Sequence, residues 1–231
     1  MQPLQYTLAV TLPEDETLDS FYAAAQSEAV AFLKNYLQQP QLQSPVYLFG
    51  ASGSGKSHLL YATCVHAQEQ GLTSQLLTLD DHRQLSPRIL DDLEQLDLVC
   101  LDNIQAIAGE ISWQTAVFDL YNRMLEQGKA LIIVGNQAAS QLNFQLADLV
   151  SRLQACTAFQ LRLLTDEDKQ KLLQQKARLR GMEMPEEVAR YLLNHHDRDI
   201  RALVSVLDKL DKATLVHQRK LTIPFVKDIL N

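Results

Sequence analysis

Residues 50–57 carry the most specific chemistry in the chain. Gly50, Gly55, Lys56 and Ser57 fill every fixed position of the pattern G-x-x-x-x-G-K-[ST], with Gly53 and Ser54 inside it. These residue types suit a phosphate. Glycines let backbone N–H groups converge on phosphate oxygens, and a helix N-terminus adds a partial positive charge of about half an electron. Lys56 is spaced to reach β- and γ-phosphates, and the Ser57 hydroxyl to ligate Mg²⁺. The pattern has this meaning only between a strand and a helix. Val46-Tyr47-Leu48-Phe49 reads as a short buried strand, and the helix continues through His58, Leu59 and Leu60. The chain is therefore expected to bind a nucleotide, which leaves open whether it hydrolyses one.

A second group of residues bears on that question. Asp102 ends the apolar run Leu98-Val99-Cys100-Leu101, and an acid at the end of a buried parallel strand is placed to hold Mg²⁺ directly or through water. Asn103 follows it where an acid would activate water. An amide is no general base, so hydrolysis at the chain's own site is expected to be weak. Asn136, past the strand 130–134, could sense a γ-phosphate or equally be a loop asparagine. Arg152 and Arg201 each read on spacing alone as surface arginines. His195 and His196 are adjacent on a helix, point in different directions, and suggest a solvated helix end rather than a metal site.

The elements that must position these residues follow from periodicity. Helical spacing covers 20–38, and Pro40 and Pro45 separate it from the strand at 46–49. The helix after the glycine loop ends at Gly71. Strands are expected at 75–79, 96–102, 130–134 and 158–163, with a short helix over 87–95, a helix over 112–127 capped by Ser112, and another near 147–153. Strands alternating with helices imply a five-stranded parallel sheet covered on both faces. From Thr165 onward the pattern is purely helical: 166–180, 185–195, 199–218 and a last helix from Pro224. The expected organisation is a tail (1–12), an α/β nucleotide-binding domain (13–163) and a small all-helical domain (164–231).

Composition sets limits. Hydrophobic content of 46% and charged content of 21% over 231 residues describe an ordinary globular chain. No apolar run approaches the roughly 20 residues of a membrane span, and no secretory signal is evident. Cys64, Cys100 and Cys156 are odd in number and lack metal-site spacing, so reduced thiols in the cytoplasm are expected. Residues 1–160 hold 7 Lys+Arg against 17 Asp+Glu, a net of −10, while residues 161–231 hold 14 against 11, a net of +3. An acidic nucleotide-binding half argues against strong unaided DNA binding, because phosphate contacts dominate that affinity. The tail segment Gln5-Tyr6-Thr7-Leu8-Ala9-Val10 could be an edge strand, an ordinary tail or a ligand for another protein's groove.

With these motifs in order, the chain resembles the DnaA-related AAA+ family, and within it the short Hda branch of regulatory inactivators. The resemblance rests on the stretches at 53–60, 100–110, 118–126, 164–169 and 219–230, and covers nearly the whole chain. It implies a P-loop AAA+ domain followed by a helical lid. It assigns Asn136 to sensor I, Arg152 to an arginine finger acting in trans, and Arg201 to sensor II. His58 belongs to the nucleotide-binding stretch. Gln5, Leu8 and Val10 resemble a peptide that binds the DNA polymerase III sliding clamp (β subunit), although Tyr6 and Val10 depart from the usual residues. Implied partners are the clamp and the DnaA initiator, with self-association left open, and the implied ligands are ADP or ATP with Mg²⁺. The sequence ends after the lid, where the resemblance leaves no room for the DnaA helix-turn-helix DNA-binding domain. The implied role is to promote hydrolysis of DnaA-bound ATP. The alternative is an autonomous AAA+ ATPase such as a helicase loader.

Overall fold

Five short apolar runs form one all-parallel sheet in the computed structural model, which describes residues 17–18, 21, 27–39, 44–197, 199–217 and 220–230; the side chains of 201, 216 and 217 lie outside that set. The strands are β1 (Val46–Phe49), β2 (Ser74–Thr78), β3 (Leu98–Asp102), β4 (Ala130–Gly135) and β5 (Thr157–Gln160), in the spatial order β2-β3-β4-β1-β5. Val46 pairs with Ile132 on one side and Thr157 on the other, so β1 is an interior strand. A strand buried on both faces needs continuous apolar sequence, and β3 and β4 are buried at every residue.

Side chains alternate across the sheet and build two cores. Val46, Leu48, Leu98, Cys100, Ile132 and Val134 face helices α1 (Ser27–Tyr36) and α2 (Lys56–Glu69). Tyr47, Val99, Leu101, Leu131 and Ile133 face α3 (Ile111–Glu126) and α4 (Ala147–Gln154). Each fully buried leucine contributes roughly 1.5–3 kcal/mol. Tyr36, fully buried on α1, accepts the Leu131 N–H at 3.2 Å and so ties that helix to β4.

Four helices follow: α5 (Asp166–Leu179), α6 (Glu186–His195), α7 (Ile200–His217) and α8 (Ile223–Leu230). Leu173, Leu192, Leu203, Leu207, Leu210 and Phe225 form their separate core. A capping box starts α5: the Thr165 hydroxyl accepts from Asp168 N–H and the Asp168 carboxylate accepts from Thr165 N–H, each at 3.2 Å. Among the described residues, no helix is long and apolar enough to cross a membrane.

Three local expectations need correction. The segment expected as one helix over 87–95 is two 3-10 turns, Pro87–Leu90 and Leu93–Gln95, separated by Asp92 at φ +63°. The apolar residues Ile89, Leu90 and Leu93 still reach the core, because two tight turns meet the same spacing. Ser112 is not the cap of α3. Glu110 holds that position, and Ser112 lies inside the helix. Strand β5 ends at Gln160, three residues earlier than expected, and Leu161 continues over Gly50.

Candidate functional site

The glycine loop connects β1 to α2, and its shape depends on missing side chains. A Cβ on Gly50 would lie 2.2 Å from the Leu161 carbonyl oxygen and 3.1 Å from Ser54 Oγ. Gly53 and Gly55 adopt φ of +80° and +89°, the left-handed region in which L side chains are strained. Gly55 is the N-cap of α2, and no acid lies in the first turn. The first N–H groups of α2 therefore lack intrahelical acceptors and form an anion-binding end.

Lys56 folds over this cradle. Its Nζ donates to the Gly50 and Ala51 carbonyls, each at 2.8 Å, and to Ser54 Oγ at 3.5 Å. Burial lowers its pKa, and the Asp102 carboxylate opposes that shift. A buried cation on a loop of backbone dipoles fits a phosphate, whose charge would satisfy the ammonium and the exposed N–H groups together. Ser57 is exposed, and Asp102 is only 7% exposed. One hydroxyl and one buried carboxylate are the hard oxygen donors that suit Mg²⁺. His58 follows, half-buried and edge-on to Phe21 with ring centroids 5.1 Å apart.

The carboxyl ends of β2, β3 and β4 are joined by polar contacts that sequence reasoning missed. Asn103 sits at φ +58°, and its Nδ2 donates to Asp80 Oδ2 at 2.6 Å. Its Oδ1 accepts from Gln105 Nε2 at 3.2 Å, and Gln105 Oε1 accepts the Asn136 N–H at 3.1 Å. The Asn103 N–H donates to Asp102 Oδ1 at 2.9 Å. Asn136 is thus held at the strand end with its side chain exposed. Tyr47 of β1 fixes the same loop by donating to the Gln137 carbonyl at 2.7 Å. No spacing rule predicts Asp80 or Gln105. The only available signal was a polar residue in each of two turns that follow strands.

The helical domain reaches the loop as well: a Cβ on Gly53 would lie 3.9 Å from both Asp199 Oδ2 and Leu163 Cδ2. Arg201 is the second residue of α7, two positions after Asp199; its side chain is outside the described residues. Gln5, Leu8 and Val10 also lie outside them. Arg152 is not brought to the glycine loop. It is exposed near the end of α4, on the sheet face opposite α2, with its guanidinium 5.9 Å from the Phe118 ring and 5.8 Å from the Tyr121 ring. A cleft of about 190 Å³ lined by Phe118, Asp148, Ser151, Arg152 and Ala155 lies beside it. His195 stacks on Tyr191 at 4.1 Å and bonds to its carbonyl. Among the described residues no cluster of three or more His, Cys, Asp or Glu could hold a metal. Cys64 and Cys100, distant in sequence, meet with their sulfurs 3.6 Å apart.

Comparison with known proteins agrees with this arrangement. Residues 12–160 match the family described as the bacterial DnaA ATPase domain, and residues 166–230 match the lid domain of Hda. Domain III of Thermotoga maritima DnaA superposes with a TM-score of 0.75 at 22% identity, covering 95% of this chain and 97% of that one. AMPPCP-bound DnaA from Aquifex aeolicus gives 0.74 at 23% identity, covering 88% of this chain and 67% of that one. The Thermotoga maritima RuvB Holliday junction branch migration motor gives 0.67 at 14% identity, covering 93% and 71%. A glycine cradle on an all-parallel sheet, a helical lid beside it and a family match over most of the length lead to one assignment: the chain belongs to the Hda/DnaA-related AAA+ family.

Proposed function

We propose that this chain is a regulatory adaptor of replication initiation. It binds the sliding clamp through Gln5, Leu8 and Val10 and supplies Arg152 to the ATP site of a DnaA subunit, so that DnaA-bound ATP is hydrolysed and re-initiation is prevented. The observation that carries the reading is the position of Arg152, exposed on α4 and on the sheet face opposite α2, the helix that follows the chain's own phosphate loop. A guanidinium there can serve a neighbour's site rather than its own. Arginines delivered in this way are worth roughly 10³–10⁵ in rate, because they stabilise charge that develops on the transferred phosphoryl group.

The chain's own nucleotide, in this reading, is an adenine nucleotide and ADP rather than ATP. Gly50, Gly53, Ser54, Gly55, Lys56, Ser57 and His58 form its cradle, with Asn136 at the strand end and Arg201 contributed by the lid. Ser57 and Asp102 hold Mg²⁺, which when bound offsets phosphate charge. Asn103 donates to Asp80 and has no lone pair basic enough to take a proton from water, which supports weak hydrolysis at this site. The nucleotide then acts as a structural element between the α/β domain (13–163) and the lid (164–231). The similarity to AMPPCP-bound DnaA supports nucleotide binding.

The test is hydrolysis of DnaA-bound ATP with and without clamp-loaded DNA, using the full chain and a variant lacking residues 1–10. Stimulation that needs the clamp and is lost with the tail is the expected result. Full stimulation by the truncated chain would remove the clamp assignment, and no stimulation under any condition would refute the adaptor role. The complete phosphate loop favours one rival, an autonomous ATPase such as a helicase loader. Rapid turnover by the chain alone would support it.

A further inference from the structure

We propose that Gln114 is the positioning residue that sets where Arg152 is presented; the proposal rests on the reading of Arg152 as the residue delivered to a partner's site. Gln114 is fully buried on α3, in a stripe that is otherwise apolar. Its amide is used from both ends. Nε2 donates to the Ile107 carbonyl at 3.0 Å, and Oε1 accepts the N–H groups of Gln145 at 2.9 Å and Leu146 at 3.0 Å. Those N–H groups immediately precede α4, whose N-cap, Leu146, makes no side-chain capping bond. The Gln114 amide therefore supplies the anchor that the local sequence of α4 lacks.

The same face of α3 holds the other end of α4. Phe118 and Tyr121, four and seven residues after Gln114, lie under the Arg152 guanidinium at 5.9 and 5.8 Å. Arg152 is six residues past the anchored Leu146, a lever of about 9 Å at 1.5 Å per residue. A tilt of about 10° at that anchor displaces the helix by about 1.6 Å at Arg152. Misplacement of about 1 Å can cost on the order of 10²-fold in rate. Ile107, at the other end of the amide, lies two residues past Gln105, which holds the Asn136 N–H. Gln114 thus joins the loop beside the nucleotide site to the helix that carries Arg152.

A residue needed only to fill space could be apolar. An amide with three well-formed bonds at a fully buried position indicates a geometric task, since burying it without partners is costly. Two variants separate the possibilities. Gln114→Met keeps the volume and removes all three bonds. Gln114→Glu keeps an acceptor for Gln145 and Leu146.

The experiment pairs amide hydrogen exchange on the free 231-residue chain with hydrolysis of DnaA-bound ATP on clamp-loaded DNA. For Gln114→Met, exchange over residues 145–150 should accelerate, and maximum stimulation should fall by about tenfold or more. The concentration giving half-maximal stimulation should stay within about twofold of wild type, because docking is untouched and only alignment is lost. Gln114→Glu should recover exchange protection at 145–146 and most of the stimulation. If Gln114→Met does not fold, Gln114→Asn takes its place in the same comparison, because an amide one methylene shorter cannot span from Ile107 to Gln145 and Leu146. Unchanged exchange in Gln114→Met overturns the proposal. So does full stimulation by Gln114→Met beside an inactive Arg152→Ala, which leaves the role of Arg152 intact. Full stimulation by Arg152→Ala would overturn both.

Discussion

Substituting alanine for Gly50 tests the phosphate loop at its tightest contact. The added Cβ would lie 2.2 Å from the Leu161 carbonyl oxygen and 3.1 Å from Ser54 Oγ. The obstructing atom is backbone, so no side-chain rotation relieves the clash. The segment that leaves β5 must move away by about 1 Å to restore an ordinary contact, in an interior packed nearly as densely as a crystal. That shift stretches the bond from Leu161 N–H to the Phe49 carbonyl, now 2.7 Å. Overpacking of this kind costs typically 1–3 kcal/mol, and a backbone clash belongs at the upper end, about 3 kcal/mol. For a chain of this length the Tm should fall by roughly 6–12 °C. Nucleotide affinity should fall as well, because Gly50 also supplies one of the two carbonyls that hold Lys56. Gly71→Ala is the control. Its φ is +76° and a Cβ there would meet nothing within 4 Å, so it should cost only about 1 kcal/mol of backbone strain and leave binding unchanged. Thermal melts followed by circular dichroism, with titration of a fluorescent ADP, read both effects. Equal melting points and equal affinities for the two variants would refute the reasoning.

Two other perturbations probe charge. Lys56→Met removes the ammonium that bridges Gly50, Ala51 and Ser54. Hydrogen bonds to charged groups are worth about 1.5–3 kcal/mol, so ADP should bind roughly 10- to 150-fold more weakly by calorimetry; unchanged affinity would mean that Lys56 does not face the phosphates. Asp97 is held down to about 2 by its bond to Lys129, with Thr73 donors adding to the effect. A depressed carboxylate contributes stability that is present above its unfolded pKa of about 3.9 and is lost as pH falls toward 2. With side chains 29% and 35% exposed, screening leaves about 1 kcal/mol. Urea midpoints should show Asp97→Asn less stable than wild type at pH 7, with the gap narrowing between pH 5 and pH 3. A gap that widens on acidification would contradict the assignment.

Local signals in the sequence were the legible ones. The glycine pattern at 50–57 and the apolar runs of β1, β3 and β4 fix their own conformations with little help from the rest of the chain. The error over 87–95 arose because Ile89, Leu90 and Leu93 satisfy a helical period that two 3-10 turns satisfy equally, and the left-handed Asp92 is marked only by its residue type, one that tolerates that region. The contacts among Asp80, Asn103, Gln105 and Asn136 are set by strand order, which brings three strand ends together, and single-sequence periodicity does not contain strand order. Gln114 left a trace. Gln114, Val117, Phe118 and Tyr121 share one helical face, and an amide on a core stripe implies buried partners.

The most direct test of the central claim is the Arg152→Ala variant in the assay of DnaA-bound ATP hydrolysis on clamp-loaded DNA. The account predicts normal binding of ADP and of the clamp, with stimulation reduced by about 10³-fold or to background, as expected for loss of an arginine finger. Stimulation equal to that of the wild-type chain would contradict it.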